Sequence, residues 1–366
     1  MGSIWRRKTG ITLYGESHGS GVGAVIDGFP AGVFIDNEFI SNEMKRRAPG
    51  QNDLVTSRKE EDLFIIQSGV INNRTTGAPI SIFIENKNKR SKDYEKIKTK
   101  PRPGHSDFSA WLKYGGYQDY RGGGHFSARL TAALVCACSF YKMYLINKNI
   151  KITSHIYSIK DMKSRHFIES DFNKEGIKER YNDSFPSLDK SFKNSAKKLI
   201  LDIKEKNDSV GGIVETAVIG CKGGFGDPFF DSVESRLSSL LFSIPAVKGV
   251  SFGCGFDISE KLGSEANDEY YLDKSVKTVT NNNGGVLGGI TTGMPIVFQT
   301  AFKPTPSIAR EQRTVDLDEN KETIIKIEGR HDPCVVIRGI PVVEAVAALL
   351  IGDYYIEKEE KGWITD

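Results

Sequence analysis

Three glycines in a row, set between a charged turn and a long apolar run, limit what the middle of this chain can fold into. The segment reads Asp119-Tyr-Arg-Gly-Gly-Gly-His-Phe-Ser-Ala-Arg129, and residues 130–140 after it are apolar on every side. Gly122, Gly123 and Gly124 carry no side chains, so their backbone N–H groups can come close to a ligand. Ser127 offers an N-cap, and an all-round apolar run reads as a buried helix. Glycine loop, cap and buried helix together form an anion site of exposed donors at the positive end of a helix dipole. Arg121 and Arg129 bracket it with charge, and His125 adds a group that titrates near neutrality. A phosphate or a cofactor edge fits there; the plainer alternative is a glycine-rich turn feeding a core helix.

The totals leave room for a large core: 39% of 366 residues are hydrophobic, and length alone suggests about two domains. Fifty basic against 47 acidic residues is near balance, so no global charge calls for nucleic acid or a membrane surface. The five cysteines are an odd count without a Cys-x-x-Cys pair, which points away from a disulfide framework and from zinc, and fits a reducing compartment. No signal-peptide segment opens the chain and no apolar run reaches membrane-spanning length, so a cytoplasmic protein is the expectation.

Along the chain, residues 11–14 and 22–26 read as strands around the polar knot Gly15-Glu-Ser-His-Gly19, with His18 as a proton carrier. Residues 36–44 read as a short helix. They lead to Lys45-Arg46-Arg47 before Ala48-Pro-Gly50, a basic loop whose arginines can fork onto phosphate or carboxylate. The mixed-charge residues 58–62 read as surface. Residues 63–70 and 78–84 read as a strand pair. Residues 87–102 hold eight Lys/Arg against Asp93 and Glu95, a cover for an anion site or a solvated loop. Arg102-Pro-Gly-His105 ends that loop with a second histidine beside an arginine. Later come strands at 150–156, 213–219, 250–252, 296–301 and 324–327, and helices at 188–206, 233–242 and 342–351. Four of six histidines (His18, His105, His125 and His331) lie in Gly- or Pro-flanked polar loops. With Lys303-Pro-Thr-Pro-Ser307 and Arg46-Arg47 they suggest one large polyanion site with acid–base groups. Walker, Rossmann and nucleophile-elbow signatures are absent.

These motifs, in this order, resemble chorismate synthases. The likeness runs from Gly15-Glu-Ser-His-Gly19 through Arg46-Arg-Ala-Pro-Gly50, Arg102-Pro-Gly-His105, Asp119-Tyr-Arg-Gly-Gly-Gly124, Ser127-Ala-Arg129, Asp208-Ser-Val-Gly-Gly212, Ala246-Val-Lys-Gly249, Asn282-Asn-Gly-Gly285 and Lys303-Pro-Thr-Pro-Ser307 to Gly329-Arg-His-Asp-Pro-Cys334. It implies an α+β fold, a β–α–β sandwich with helices between two largely antiparallel sheets, as a single domain over residues 1–366 assembled as a homotetramer. It implies a carbon–oxygen lyase of aromatic amino-acid biosynthesis. 5-Enolpyruvylshikimate 3-phosphate would lose phosphate and a ring hydrogen to give chorismate, with reduced FMN as cofactor and NADPH as the candidate reductant.

By the same resemblance, His18 and His105 match two acid–base histidines, one for flavin and one for phosphate. Asp332, Ser17 and Ser127 match members of a proton relay at the flavin. Arg46, Arg47, Arg102, Arg129 and Arg330 match substrate binders. His125, Phe126, Ser127, Pro245, Ala246, Gly288, Lys303, Pro304, Thr305, Pro306, Ser307 and Arg330 match flavin contacts, and Arg47 also matches a position assigned to NADPH. The chain departs from some relatives with Ala48 and Asp53 for arginines, His125 for Arg and Pro245 for Asn. An acidic Asp53 would repel a nucleotide phosphate. Competing readings are a flavin reductase, or another FMN-dependent enzyme acting on a phosphorylated substrate, and a module binding RNA or an acidic partner through residues 87–102.

Overall fold

Val22, Ala24 and Ile26 fall at every second position, as do Ile80, Ile82 and Ile84, so each run buries one face when it pairs. In the computed structural model, which describes residues 2–50, 53–56, 60–87, 95, 98–169, 177–327 and 331–362, these runs are neighbouring strands of an antiparallel sheet. Its order is Ile4–Arg6, Gly10–Gly15, Gly21–Asp27, Ile80–Glu85, Phe64–Ile66. Ala24 faces both Leu13 and Ile82 across the ladder. Gly23 leaves the space that the Tyr14 ring fills, since a Cβ there would lie 2.2 Å from Tyr14 Cζ. The Tyr14 hydroxyl donates to the Ile82 carbonyl at 3.0 Å. The sheet and the loops around it form a first unit: Met1–Ala137, Lys197–Gly211 and Pro304–Arg338.

Helix Asn37–Arg47 begins where Asp36 caps the N–H groups of Glu38 and Phe39. It continues three residues past the stretch that the sequence suggests. Lys45, Arg46 and Arg47 therefore lie on its last turn rather than in a loop, where cations suit the negative end of the helix dipole.

A second unit, Cys138–Ala196, Gly212–Lys303 and Gly339–Asp366, holds another five-stranded antiparallel sheet. Its order is Val247–Phe252, Ile296–Phe302, Gly212–Ile219, Lys151–Ile159, Met162–Lys163. Strand Gly212–Ile219 pairs on both sides, with Thr216 opposite Phe298 and Ser154. The chain is thus α+β, with both large sheets antiparallel.

Helix Thr131–Ile146 bears out the expectation of a buried apolar helix: Ala132, Val135, Cys136 and Phe140 are all fully buried. With the turn before it, the 19-residue span Ala128–Ile146 is long and apolar enough to cross a membrane, which corrects the sequence reading that no run reaches that length. Of its hydropathic window 89% is covered by protein, which explains the composition without a bilayer. The last helix also exceeds its sequence bounds, running Val336–Glu360 with Pro341 inside. Residues 342–351 are buried almost all round, so no apolar stripe marks the ends. All five cysteines are free and buried.

The second sheet carries a fully buried carboxylate. Glu215 accepts from His155 Nε2 and His166 Nδ1, both at 2.9 Å, from Phe167 N at 2.6 Å and from Gln299 Nε2 at 3.2 Å. Burial alone would raise its pKa, but hydrogen bonds from His155 and His166 win and hold it down to about 2. A carboxyl depressed from 4.5 stabilises the fold fully above about pH 4.5 and loses that contribution as pH falls towards 2. Acid unfolding of Glu215→Gln, followed by circular dichroism, is expected to be less steep between pH 4.5 and 2 than that of the parent. The difference integrates to about 3 kcal/mol, and parallel curves would contradict the assignment.

Candidate active site

The glycine triplet adopts a backbone that other residues resist: φ is +61° at Gly122, +83° at Gly123 and +52° at Gly124. The loop closes on itself through Arg121, whose backbone N–H and guanidinium both hold Asp119. It is tied to the first sheet by Ser17 N–H donating to Gly124 O at 3.1 Å. What the triplet admits is two histidines. A Cβ on Gly122 would lie 2.5 Å from His18 Cδ2, 2.7 Å from His18 Nε2 and 2.8 Å from Ser17 Oγ. A Cβ on Gly123 would lie 3.0 Å from His105 Cε1 and 3.2 Å from His105 Nε2. Ser17, His18, His105 and the glycine loop are thus brought together as one constellation within the first unit.

Ser127 accepts from Arg129 N at 3.2 Å, capping the short turn Ala128–Leu130 that leads into the buried helix. His125 is engaged inside the protein: Nδ1–H donates to Gly15 O at 2.9 Å, and Nε2 pairs with Ser3 Oγ at 2.7 Å. Phe126 is part-exposed beside Tyr114. Burial and the charge of Asp119 raise the Glu16 carboxyl above its usual range, while Arg121 helps to hold Asp119 below its own.

His105 and Arg102 share one carboxylate. Asp107 Oδ1 lies 2.6 Å from His105 Nδ1, and Asp107 accepts from Arg102 Nε at 2.7 Å, Nη2 at 2.8 Å and N at 3.0 Å. Burial would raise the Asp107 carboxyl, but hydrogen bonds from Arg102 and His105 pull it far below the carboxylate range. Arg102 Nη1 also reaches Ser307 Oγ at 3.5 Å. Beside this group is an open depression walled in part by Lys98, Arg102, Trp111, Tyr120, Gly123 and Phe126.

Two further arginines are bound inward. Arg47 is 2% exposed, with its guanidinium on Asp62 and, at 3.3 Å, on Thr131. Burial lowers its pKa to about 10 against the pull of Asp62. Arg129 also grips Asp62 and reaches Glu60 and Asn86, each at 2.9 Å. Burial would raise Asp62, but the charges of Arg47 and Arg129 hold it low. The segment read as surface therefore turns inward at Glu60 and Asp62, because buried guanidinium groups need carboxylates. Arg338 joins the cluster, donating to Arg47 O at 3.1 Å and to Asp332, whose other oxygen accepts Thr56 N at 2.9 Å. Arg46 pairs with Glu43 at 3.0 Å.

Pro304, Thr305, Pro306 and Ser307 belong to the first unit, where Ser209 Oγ donates to Thr305 O at 2.7 Å. Pro245, Ala246, Gly288 and Lys303 belong to the second. There Lys303 N donates to Ala246 O at 2.9 Å, and Ala246 has φ +73°, a strained backbone of the kind that gathers at functional sites. Gly288 turns the hairpin between Val286–Leu287 and Ile290–Thr291. Arg330 and most of the basic segment 87–102 lie outside the described residues. Among the described residues no cluster of His, Cys, Asp and Glu could hold a metal ion.

A sequence profile described as chorismate synthase matches residues 10–356. The chain belongs to the chorismate synthase family. It is 48% identical over 351 residues to a chorismate synthase of Pyrococcus abyssi, covering 96% of each chain. It is 45% identical over 355 residues to one of Methanococcus maripaludis, covering 94% of this chain and 95% of the relative. A solved structure titled as the crystal structure of chorismate synthase superposes with a TM-score of 0.76 at 28% identity, over 96% of this chain and 93% of the other. The chorismate synthase function follows: a lyase of aromatic amino-acid biosynthesis that removes phosphate from 5-enolpyruvylshikimate 3-phosphate. The flavin-reductase alternative is not favoured.

Sequence reasoning missed Asp107, Glu60, Asp62, Asn86 and Arg338. The signal for Asp107 was its place two residues after His105. The signal for Asp62 was the need of inward-facing arginines for a partner. Two outcomes test this geometry. Gly122→Ala is expected to lower kcat/KM about tenfold or more, whereas Gly115→Ala, at the same φ of +61° but with no atom nearer than 3.9 Å, carries only the backbone strain. Equal effects would show that strain alone matters. Arg47→Ala strips Asp62 of one cation and is expected to cost about 3–5 kcal/mol in urea unfolding; an unchanged midpoint would mean that the pair adds no stability.

Proposed function

We propose that elimination takes place on the glycine loop, with His18 and His105 as the two proton carriers and reduced FMN as the bound cofactor. The observation that carries this reading is the approach of both Nε2 edges to consecutive glycines beside buried Arg102. Two histidines fixed against one backbone segment can serve the two proton demands of the reaction, at the leaving phosphate and at the flavin. Arg102 and Lys98 place positive charge at the depression beside them, where a phosphate would be held as its bond breaks.

The residues fit a flavin. Trp111, Tyr120 and Phe126 supply flat apolar surface next to the cations Lys98 and Arg102 along the depression. When bound, reduced FMN would be the group that lends electron density to the substrate ring and takes it back, with no net redox change. Phe126, Ser127, Pro304, Thr305, Pro306 and Ser307 would hold it, and Pro245, Ala246, Gly288, Lys303 and Arg330 keep the contact role that the family resemblance gives them. His125 donates from Nδ1 to Gly15 O, so its part is to fix the loop's position. Ser17 sits under His18 and Asp332 is oriented by Arg338 and Thr56, positions suited to a relay. Arg129 and Arg46 contribute positive field at the substrate phosphate and carboxylates.

Arg47 works from within. Its burial on Asp62 argues against direct contact with NADPH, so the flavin is reduced by an outside donor. We read the whole chain as one chorismate synthase domain in a cytoplasmic homotetramer. The exposed apolar residues Leu272 (81%), Val276 (65%) and Val279 (66%) are suited to covering by another copy.

His18→Ala and His105→Ala are each expected to lower kcat about a hundredfold or more, with substrate affinity largely kept. Unchanged turnover in either variant would remove that residue from the chemistry. In anaerobic assays, FMN with NADPH is expected to give no product where chemically reduced FMN does; equal rates would restore a nucleotide role.

A further inference from the structure

Asp107 has no assigned part in the chemistry, yet it is the acceptor on which both His105 and Arg102 are built. We propose that Asp107 is a positioning residue that fixes the proton of His105 on Nδ1 and thereby makes Nε2 the atom that exchanges protons. The proposal rests on the reading of His105 as a proton carrier.

An ionised carboxylate only accepts, and Asp107 takes three hydrogen bonds from Arg102 through N, Nε and Nη2. An Nδ1 lone pair 2.6 Å from Asp107 Oδ1 would face a second lone pair and be repelled. Nδ1 must therefore carry hydrogen and donate. The 3.1 Å approach of Arg102 Nη2 to Nδ1 then reflects two donors sharing Oδ1 rather than a bond between them. With Nδ1–H engaged, the neutral ring keeps its lone pair on Nε2, on the edge that lies over Gly123. A proton arriving at Nε2 makes an imidazolium whose charge Asp107 offsets; a proton leaving restores the same tautomer. No rotation of the ring is needed in either direction, because Asp107 is itself fixed by the bidentate Arg102. The charged groups packed on His105 among the described residues are Arg102 and Asp107, and His331 lies within electrostatic reach of Arg102.

Asp107→Asn separates the two duties. The amide oxygen can take the place of Oδ2 and keep accepting from Arg102 N and Nε. The amide nitrogen then meets His105 as a donor and forces Nδ1 to accept, which moves the ring hydrogen to Nε2. Three readouts follow. In ¹⁵N-histidine NMR of the cofactor-free protein, with the His105 signals assigned by their loss in His105→Ala, the parent is expected to show Nδ1–H and the variant Nε2–H. In the anaerobic assay with reduced FMN, kcat is expected to fall about a hundredfold while KM changes less than about threefold. Asp107→Glu, which keeps the carboxylate, is expected to recover part of the rate. An unchanged tautomer in Asp107→Asn, or a loss confined to KM, would overturn the proposal and leave Asp107 as an anchor for Arg102 alone. Full activity in Asp107→Asn with a dead His105→Ala would also overturn it. Full activity in His105→Ala would instead bring down the reading of His105 itself.

Discussion

Two imidazole edges lie over the α-carbons of consecutive glycines, and most of what surrounds them follows from that contact. Three successive positive φ values are a conformation that a chain of L-residues avoids, and Gly122, Gly123 and Gly124 adopt it without a steric cost. A methyl group at Gly122 would occupy the space of His18 and Ser17, and one at Gly123 would press on His105. The rings come from distant parts of the chain, yet the loop sets their separation to that of neighbouring residues. The loop is held in turn by Arg121 on Asp119 and by the backbone bond from Ser17 to Gly124.

Behind the rings, charge is arranged in closed groups. Arg102, His105 and Asp107 form one; Arg47, Arg129, Asp62 and Glu60 form another, with Arg338 and Asp332 beside it. Burying a guanidinium without a partner costs several kcal/mol, and each group has the carboxylates that offset this. The arginines are thereby fixed before any ligand arrives, the preorganisation that stabilising a departing phosphate requires. The arrangement also separates two kinds of arginine that look alike in sequence. Arg102 borders the open depression, whereas Arg47 on the last turn of its helix is sealed against Asp62.

Residues whose side chains announce their surroundings were legible in the sequence. Short apolar or alternating runs gave strands Gly21–Asp27 and Ile80–Glu85, the unbroken apolar run gave helix Thr131–Ile146, and the glycine triplet marked the loop on which two histidines meet. The resemblance supplied the reaction, which periodicity alone could not. What remained hidden depended on partners far away in sequence. Asp62 looks like a surface acid until Arg47 and Arg129 fold onto it. The hairpin of Tyr270–Asp273 and Ser275–Thr278 hid because its apolar side chains, Leu272 and Val276 among them, point outward. Helix Val336–Glu360 extends beyond its legible centre at both ends, because burial on all sides leaves no periodic stripe to mark them.

The central claim is that this loop carries an elimination in which the flavin is returned unchanged. Its most direct test is the stoichiometry of the anaerobic reaction with 5-enolpyruvylshikimate 3-phosphate in large excess over chemically reduced FMN. The account predicts one chorismate per phosphate released, over many turnovers, while the flavin absorbance remains that of the reduced form. Oxidation of one flavin per product, or no chorismate from folded protein that binds FMN, would contradict it.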